Sequence, residues 1–321
     1  MQKIISNKTA IGFDADTEIL TSEGFFPYSM VVPGDKIYSW ENGCIVEGNI
    51  KNVISNRYTG ILHEYQSDAH TQVVTPNHSV LNVCPRRKRV TTTESSELFG
   101  AVARARIPTR FNKGVNCDEI ISDSWVVLAA VLYMIGEYQY KNGDVVQIKT
   151  GANYRPRAID DVGVAADELG FPCFIERDSK GVAYRHVFKG DIIKKIVEIV
   201  PDLNKIDALF TKLPAHQSRL FINTCAKYDG KHIQRSVVCK NQDFINTLQH
   251  IAVRAGYTSF QDRSDGKLKL RINSSYNTTV FEKTEVNYSG IVWCPESDRA
   301  NAVFRRNGYV FISGTYCADP N

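Results

Sequence analysis

Long apolar runs are missing from this sequence, and so is any segment typical of a secretory leader. The longest apolar stretch, Trp125 to Ile135, is shorter than the roughly 18 residues that a membrane-spanning helix needs. The opening residues, Met1 to Lys8, lack the apolar core and the small-residue cleavage site of a signal peptide. We therefore expect a protein that has no membrane partner and is located in the cytoplasm.

Paired cysteines and a strong net charge are missing as well. The eight cysteines form no Cys-x-x-Cys pair, which argues against a zinc site, and they are too sparse for a disulfide scaffold. We expect reduced thiols. The net charge of +4 permits a polyanionic partner such as nucleic acid without requiring one. What the chain does have is length, because 321 residues, 43% of them hydrophobic, predict two or three domains with buried cores.

Two separated stretches of the chain carry the pattern of an all-β domain. Residues 12–93 and about 286–314 contain short apolar runs bounded by turn residues such as Pro33-Gly34-Asp35 and Glu41-Asn42-Gly43. Between them the pattern becomes helical. The apolar stretch from Trp125 to Tyr138 predicts a helix that is buried on more than one side. The β domain is therefore predicted to be split by an inserted domain.

The inserted region contains a repeated unit of helix, acid, strand pair, helix, glycine and strand pair. The first copy has Glu137 and Gly170 at its acid and glycine positions, and the second has Asp229 and Gly256. A duplication of this size predicts a pseudo-symmetric domain. The predicted segments are a flank at 1–11, a first β part at 12–93, the inserted domain at 94–285 with repeats at about 120–200 and 205–285, a second β part at 286–314 and a flank at 315–321.

Four blocks of the β stretches resemble the splicing blocks of inteins. In chain order they are Gly12-Phe-Asp-Ala-Asp-Thr-Glu-Ile-Leu-Thr-Ser-Glu-Gly24, Thr75-Pro-Asn-His78, Val292-Trp-Cys294 and Arg305-Arg-Asn-Gly-Tyr-Val-Phe-Ile-Ser-Gly-Thr315. The resemblance implies the all-β fold of the Hint class, shared with hedgehog autoprocessing domains, in discontinuous form. It also implies that Thr75 and His78 assist the first acyl shift, and that the flanks are remnants of a host protein.

The sequence departs from the intein pattern at both ends of the chemistry. Gly12 stands where an intein has Cys or Ser, so no thioester can form there. The closing block ends on Gly314 or Thr315 where an intein has Asn. The sequence does not decide which of these two residues occupies the Asn position. Cys294 is either an internal nucleophile or a buried or assisting residue. We expect splicing to be disabled, through either engineering or natural decay.

The repeated unit resembles a LAGLIDADG homing endonuclease. Leu128-Ala-Ala-Val-Leu-Tyr-Met-Ile-Gly-Glu137 is similar to the first motif of that family, and Leu220-Phe-Ile-Asn-Thr-Cys-Ala-Lys-Tyr-Asp-Gly230 to the second. The resemblance implies an α/β fold of two αββαββα repeats, whose helix ends place Glu137 and Asp229 side by side. Adjacent carboxylates repel unless a cation lies between them, and Mg²⁺ prefers oxygen ligands. Both acids are therefore predicted as catalytic metal ligands.

Basic residues around the acids complete the prediction. Lys180 and Lys267 are candidates for stabilising charge on the phosphate. The strands after each acid are expected in the DNA major groove. The candidate DNA contacts are Gln147, Lys149, Tyr154, Arg155, Arg157, Arg185, Arg235, Lys240, Lys269 and Arg271.

The predicted function is an intein-type element, a monomer, whose endonuclease cuts double-stranded DNA at a long site in the uninterrupted host gene. The alternatives are a DNA-binding module without nuclease activity and a decayed intein that is only a structural remnant.

Overall fold

The structure, a computed structural model, forms two compact units. It describes residues 11–84, 89–101, 104–111, 113–150, 156–177, 184–228, 236–263, 265–273 and 277–316. The β unit comprises the described residues of Met1–Val115, Gly256–Gln261 and Ile272–Asn321, and the α/β unit those of Asn116–Ala255 and Asp262–Arg271. Most of the described chain is β-sheet, with few helices. No described helix has the length and apolar character needed to cross a membrane.

The helices and strands follow one another in three stretches of the chain. Up to Val115 they are β1 (Phe13–Asp14), β2 (Glu18–Thr21), β3 (Gly24–Pro27), a 3₁₀ turn (Tyr28–Met30), β4 (Lys36–Glu41), β5 (Cys44–Ser67), β6 (His70–Val74), β7 (Ser79–Cys84), β8 (Arg89–Glu94), α1 (Leu98–Ala101) and β9 (Ala105–Pro108). The middle holds α2 (Asp123–Ile135), β10 (Gly136–Lys141), β11 (Asp144–Thr150), α3 (Pro156–Glu168), β12 (Phe174–Arg177), β13 (Tyr184–Lys189), α4 (Ile192–Ile199), a 3₁₀ turn (Ala208–Lys212), α5 (Ala215–Tyr228), β14 (Ser236–Val238) and α6 (Gln242–Arg254). The remainder is β15 (Thr258–Asp262), β16 (Lys269–Asn273), β17 (Asn277–Val280), β18 (Thr284–Ser297), β19 (Asn301–Arg306) and β20 (Tyr309–Gly314).

Three of the hairpins turn at an Asn-Gly pair. Asn42, Asn142 and Asn307 have φ of 50°, 54° and 49°, and each is followed by a glycine with positive φ. Two successive residues with positive φ match the right-handed twist of the flanking strands, and Asn-Gly tolerates that conformation best. These short signals therefore fix the hairpins β4–β5, β10–β11 and β19–β20.

The β unit is organised around the long strand β5. Its first part forms a hairpin with β4, and its second part pairs with β6 and β18. The pairing with β18 runs from Thr284 opposite Glu64 to Ser297 opposite Ile50. Strands from the two ends of the sequence are therefore hydrogen-bonded to each other along most of β18.

Aromatic rings fill the core of the β unit. Phe13, Trp293, Phe304 and Phe311 are fully buried in one apolar cluster. The ring centroids of Phe13 and Phe304 lie 4.2 Å apart, and those of Phe304 and Phe311 lie 6.0 Å apart. Such pairs contribute about 0.5–1.5 kcal/mol each beyond the burial of their area. The opening strand is held in this core because Phe13 lies opposite both Val74 and Trp293.

The α/β unit contains a four-stranded antiparallel sheet in the order β10-β11-β13-β12. Ile148 and Phe188 lie opposite each other on one face and are fully buried, and α3 and α4 pack against β11 and β13. Helices α2 and α5 pack together, with the Tyr133 ring against Phe210 and Phe221.

One predicted feature differs from the structure, namely the end of the first long helix. The helix predicted over Trp125 to Tyr138 ends at Ile135, so Glu137 lies on β10 and not at a helix end. Gly136 is the C-cap, where a Cβ would lie 2.5 Å from the Leu132 carbonyl oxygen. In the second repeat, β15 pairs with β20 through Phe260 and Tyr309 and belongs to the β unit. The predicted domain boundaries stay predictions.

Candidate functional site

The start of β1 forms a close backbone site in the β unit. The Gly12 amide donates to the Thr75 hydroxyl at 3.0 Å, and the Thr75 amide donates to the Gly12 carbonyl at 2.9 Å. Gly12 has φ of +151°, and a Cβ there would lie 2.2 Å from the Trp293 carbonyl oxygen. The backbone is therefore shaped for glycine, both by its conformation and by the lack of space.

His78 is the buried polar group next to this site. Its ring packs edge-on against Phe13, with the centroids 4.4 Å apart. Nε2 lies 3.1 Å from the Ser313 hydroxyl, which accepts a hydrogen bond from Gln72. Burial lowers the pKa of His78 to about 3, so the imidazole is neutral near pH 7. The burial that keeps the ring neutral also makes it a weak base.

Cys294 and the end of the closing strand lie in tight surroundings. Burial raises the pKa of Cys294 to about 12, so the sulfur is a thiol and a poor nucleophile. A Cβ at Gly314 would lie 2.6 Å from the Ser79 carbonyl oxygen. Thr315, in contrast, accommodates its side chain, and its hydroxyl contacts the Arg299 carbonyl and Ser297. Of the two candidate terminal positions, Gly314 has no room for a side chain, whereas Thr315 already holds one.

A buried ion pair that sequence reasoning missed joins the first and last blocks. Arg306 donates from Nε and Nη2 to Asp14 Oδ2, each at 2.8 Å, and Thr17 donates to Asp14 Oδ1 at 2.7 Å. The only signal in the sequence is that these opposite charges lie in the first and last of the intein-like blocks. Sequence analysis did not find the pair, or the contact of Ser313 with His78, because the partners are distant along the chain.

The α/β unit places its candidate acid on an open surface. Glu137 and Gln139 project to the same face of β10, opposite Lys149 and Gln147 on β11. The Glu137 side chain is 52% exposed, and its Oε2 lies 3.7 Å from Nη1 of Arg185. A predicted metal ligand and a predicted DNA contact are therefore neighbours on the face that the helices leave uncovered.

Helices α2 and α5 run side by side in the same direction. Near their N-terminal ends, Gln217 donates to Asp123 at 3.0 Å. Near their C-terminal ends, Met134 and Tyr228 line one cavity of about 240 Å³. Glu137 lies two residues after α2. Asp229 follows α5 in the sequence and lies outside the described residues.

The remaining predicted residues have varied surroundings. Lys149, Lys269 and Arg271 form ion pairs with Glu176, Asp265 and Asp262. Lys240 donates to the Leu203 carbonyl at 2.8 Å, and burial lowers its pKa. Lys267 is exposed in a turn. Lys180, Tyr154, Arg155 and Arg235 lie outside the described residues, as does the side chain of Arg157.

The chain resembles solved structures only weakly. It matches no protein-family model and no curated protein. The homing endonuclease I-DmoI in complex with DNA and Mn aligns with 47% of this chain and 91% of its own, at 13% identity and a TM-score of 0.37. A variant of the Ssp DnaB mini-intein aligns with 34% and 66%, at 11% identity and a TM-score of 0.27. Full-length DUF199/WhiA from Thermatoga maritima aligns with 49% and 53%, at 12% identity and a TM-score of 0.33. Likenesses this low establish neither a family nor a function.

Proposed function

We propose that the chain is an intein-type element with two parts. The β unit is a Hint domain that no longer splices, and the α/β unit is a LAGLIDADG-type endonuclease for double-stranded DNA. The observation that carries the endonuclease is the arrangement of α2 and α5. They run in the same direction, their last turns line one cavity, and an acid follows each of them within two residues. The proposed partners are a long specific DNA site and host-protein flanks, with the element acting as a monomer.

Glu137 and Asp229 are the proposed ligands of a divalent cation, with Mg²⁺ as the expected ion. Two carboxylates are a donor set of hard oxygens, which suits this ion, and the exposed Glu137 side chain is accessible to it. A bound ion polarises the scissile phosphate and makes hydroxide available at neutral pH. Arg185 balances the charge of Glu137, and its guanidinium can stabilise charge that develops on a phosphate placed beside that acid.

The uncovered face of the sheet is the proposed DNA contact surface. It carries the amides of Gln139 and Gln147 and the cations of Lys149, Arg185 and Lys189. A two-stranded β-ribbon fits the major groove, where amides and guanidinium groups can bind base edges. Lys149 is held by Glu176 at 2.9 Å, so part of this charge is already neutralised within the protein.

Binding without cleavage is the second candidate function. It is favoured by one observation, the ion pair between Arg185 and Glu137, which engages the acid that catalysis requires. The two functions make the same prediction for DNA binding and opposite predictions for strand breaks.

Loss of splicing is proposed from the geometry of β1. The Thr75 hydroxyl accepts from the Gly12 amide and the His78 ring contacts Ser313, but Gly12 supplies no nucleophile and its position has no space for one. The buried thiol of Cys294 does not replace it.

The test uses the full chain and a library of genomic DNA fragments, with binding and new DNA ends measured separately in Mg²⁺. We expect selective retention of few fragments and cleavage within them. Glu137→Gln and Asp229→Asn are expected to abolish cleavage and keep retention, whereas the control Glu198→Gln, at an exposed position of α4, keeps both. Retention without cleavage by the parent would favour the binding module, and no retention would refute both.

A further inference from the structure

A cluster of metal-ligating side chains lies at the N-terminal ends of α2 and α5. Glu119 precedes α2, Asp123 is its first residue, and His216 is the second residue of α5. One ligand atom from each of the three lies within 4.8 Å of the other two. His216 Nε2 and Glu119 Oε1 are already 2.9 Å apart.

We propose that this cluster binds Zn²⁺ and thereby links the starts of the two helices. An imidazole nitrogen with two carboxylate oxygens is a donor set that zinc accepts, whereas Mg²⁺ prefers oxygen ligands alone. In a tetrahedral zinc site, bonds of about 2.0–2.1 Å place the ligand atoms roughly 3.3 Å apart. Glu119 and His216 have exposed side chains that can rotate to close the remaining gap.

A buried neighbour supports the assignment. Gln217 is fully buried, and its Nε2 donates to Asp123 Oδ1 at 3.0 Å and to the Ile121 carbonyl at 2.7 Å. These bonds fix the orientation of the Asp123 carboxylate, as outer-shell partners do in metal sites. Oε1 of the same amide has no hydrogen-bond partner among the described residues. An unpartnered buried amide oxygen next to the cluster is a polar group that a bound ligand or water can satisfy.

The charge balance also favours a cation. Each helix N-terminus contributes about +0.5 of an elementary charge, which opposes a positive ion. The carboxylates of Glu119 and Asp123 contribute two full negative charges and outweigh it. The cluster is separate from the proposed catalytic acids, because the length of α2, at 1.5 Å per residue, puts about 20 Å between Asp123 and the helix end near Glu137. The inference does not depend on the endonuclease function.

The test is a titration of the chelator-treated full chain with Zn²⁺, followed by calorimetry and by thermal unfolding. We expect one equivalent to bind and the melting temperature to rise, with no such response to Mg²⁺ at the same concentration. His216→Gln and Glu119→Gln should each weaken Zn²⁺ binding at least about tenfold. Both positions are exposed, so the variants should melt like the parent when zinc is absent.

Two neighbours serve as matched controls. Asp118 is an exposed acid next to Glu119 but outside the cluster, and Cys117 is an exposed thiol that could capture zinc instead. Asp118→Asn and Cys117→Ser should keep the affinity within about twofold. Binding that survives His216→Gln, binding that is lost in Cys117→Ser, or no binding at all would each overturn the proposal.

Discussion

The two candidate sites of this molecule are built in opposite ways. In the β unit, Gly12, Thr75 and His78 are buried and held by backbone and hydroxyl groups. In the α/β unit, the side chains of Glu137 and Arg185 are 52% and 41% exposed, and their charged atoms lie 3.7 Å apart. Substitutions in the first site should therefore act mainly through stability, and those in the second mainly through ligand binding.

The largest effect is expected from a side chain at position 12. Gly12→Ala requires a Cβ at 2.2 Å from the Trp293 carbonyl oxygen, so the strands β1 and β18 must separate locally. We expect a loss of about 3–4 kcal/mol in the free energy of unfolding, from backbone strain plus overpacking. Denaturant unfolding measures it.

Gly24→Ala is the matched control, because Gly24 has φ of +136° but nothing within 4 Å of the added Cβ. It should cost only about 1–2 kcal/mol, the strain alone. Equal losses at both positions would contradict the steric argument.

The same steric argument ranks two variants in which the splicing residues are restored. We expect little spliced product when Gly12→Cys is combined with Gly314→Asn, because the Cβ at 314 also collides, and more when it is combined with Thr315→Asn. Intact mass of a fusion with flanking domains measures this.

A smaller loss is expected from Thr75→Val. The change removes the acceptor of the Gly12 amide inside the core and leaves that donor unpaired, which costs about 1–3 kcal/mol. Thr59→Val is the control, since the Thr59 hydroxyl makes only an exposed contact with Ser289 and its loss should be close to neutral. If both variants unfold at the same denaturant concentration, the Gly12–Thr75 bond is not a stabilising one.

The sequence predicted local features well and distant contacts poorly. The turns at Asn42-Gly43 and Pro33-Gly34-Asp35 follow from the conformations that these residues allow, so they were accessible without a structure. The end of α2 was also encoded, by Gly136 and the alternating residues after it, but the apolar run obscured it. In contrast, the Arg306–Asp14 pair and the Ser313–His78 contact join residues almost 300 and more than 200 positions apart. Such contacts depend on strand pairing between the two ends of the chain, which no local pattern specifies.

The buried site should also make stability depend on pH. Burial lowers the pKa of His78 to about 3 from 6.5, so between these values the unfolded chain binds a proton that the folded chain excludes. Stability therefore falls as the pH drops below 6.5, by about 1.4 kcal/mol per pH unit for this group. His78→Gln should reduce the slope of unfolding free energy against pH by that amount between pH 6 and 4. An unchanged slope would mean that the imidazole is not buried in the folded chain.

The smallest stability effect, with the clearest effect on binding, is expected from Arg185→Gln. The pair with Glu137 is exposed, so its loss should change the unfolding free energy by less than about 0.5 kcal/mol. If the uncovered face contacts DNA phosphates, the variant should bind DNA more weakly. The slope of log affinity against log salt should fall by about 0.9. Lys194→Gln, on the exposed side of α4, removes the same charge away from that face and should leave the slope unchanged. Equal slopes for both variants would place the DNA elsewhere on the protein. A lower slope for Arg185→Gln alone would show that the exposed site acts through ligand binding, whereas the buried site of the β unit acts through stability.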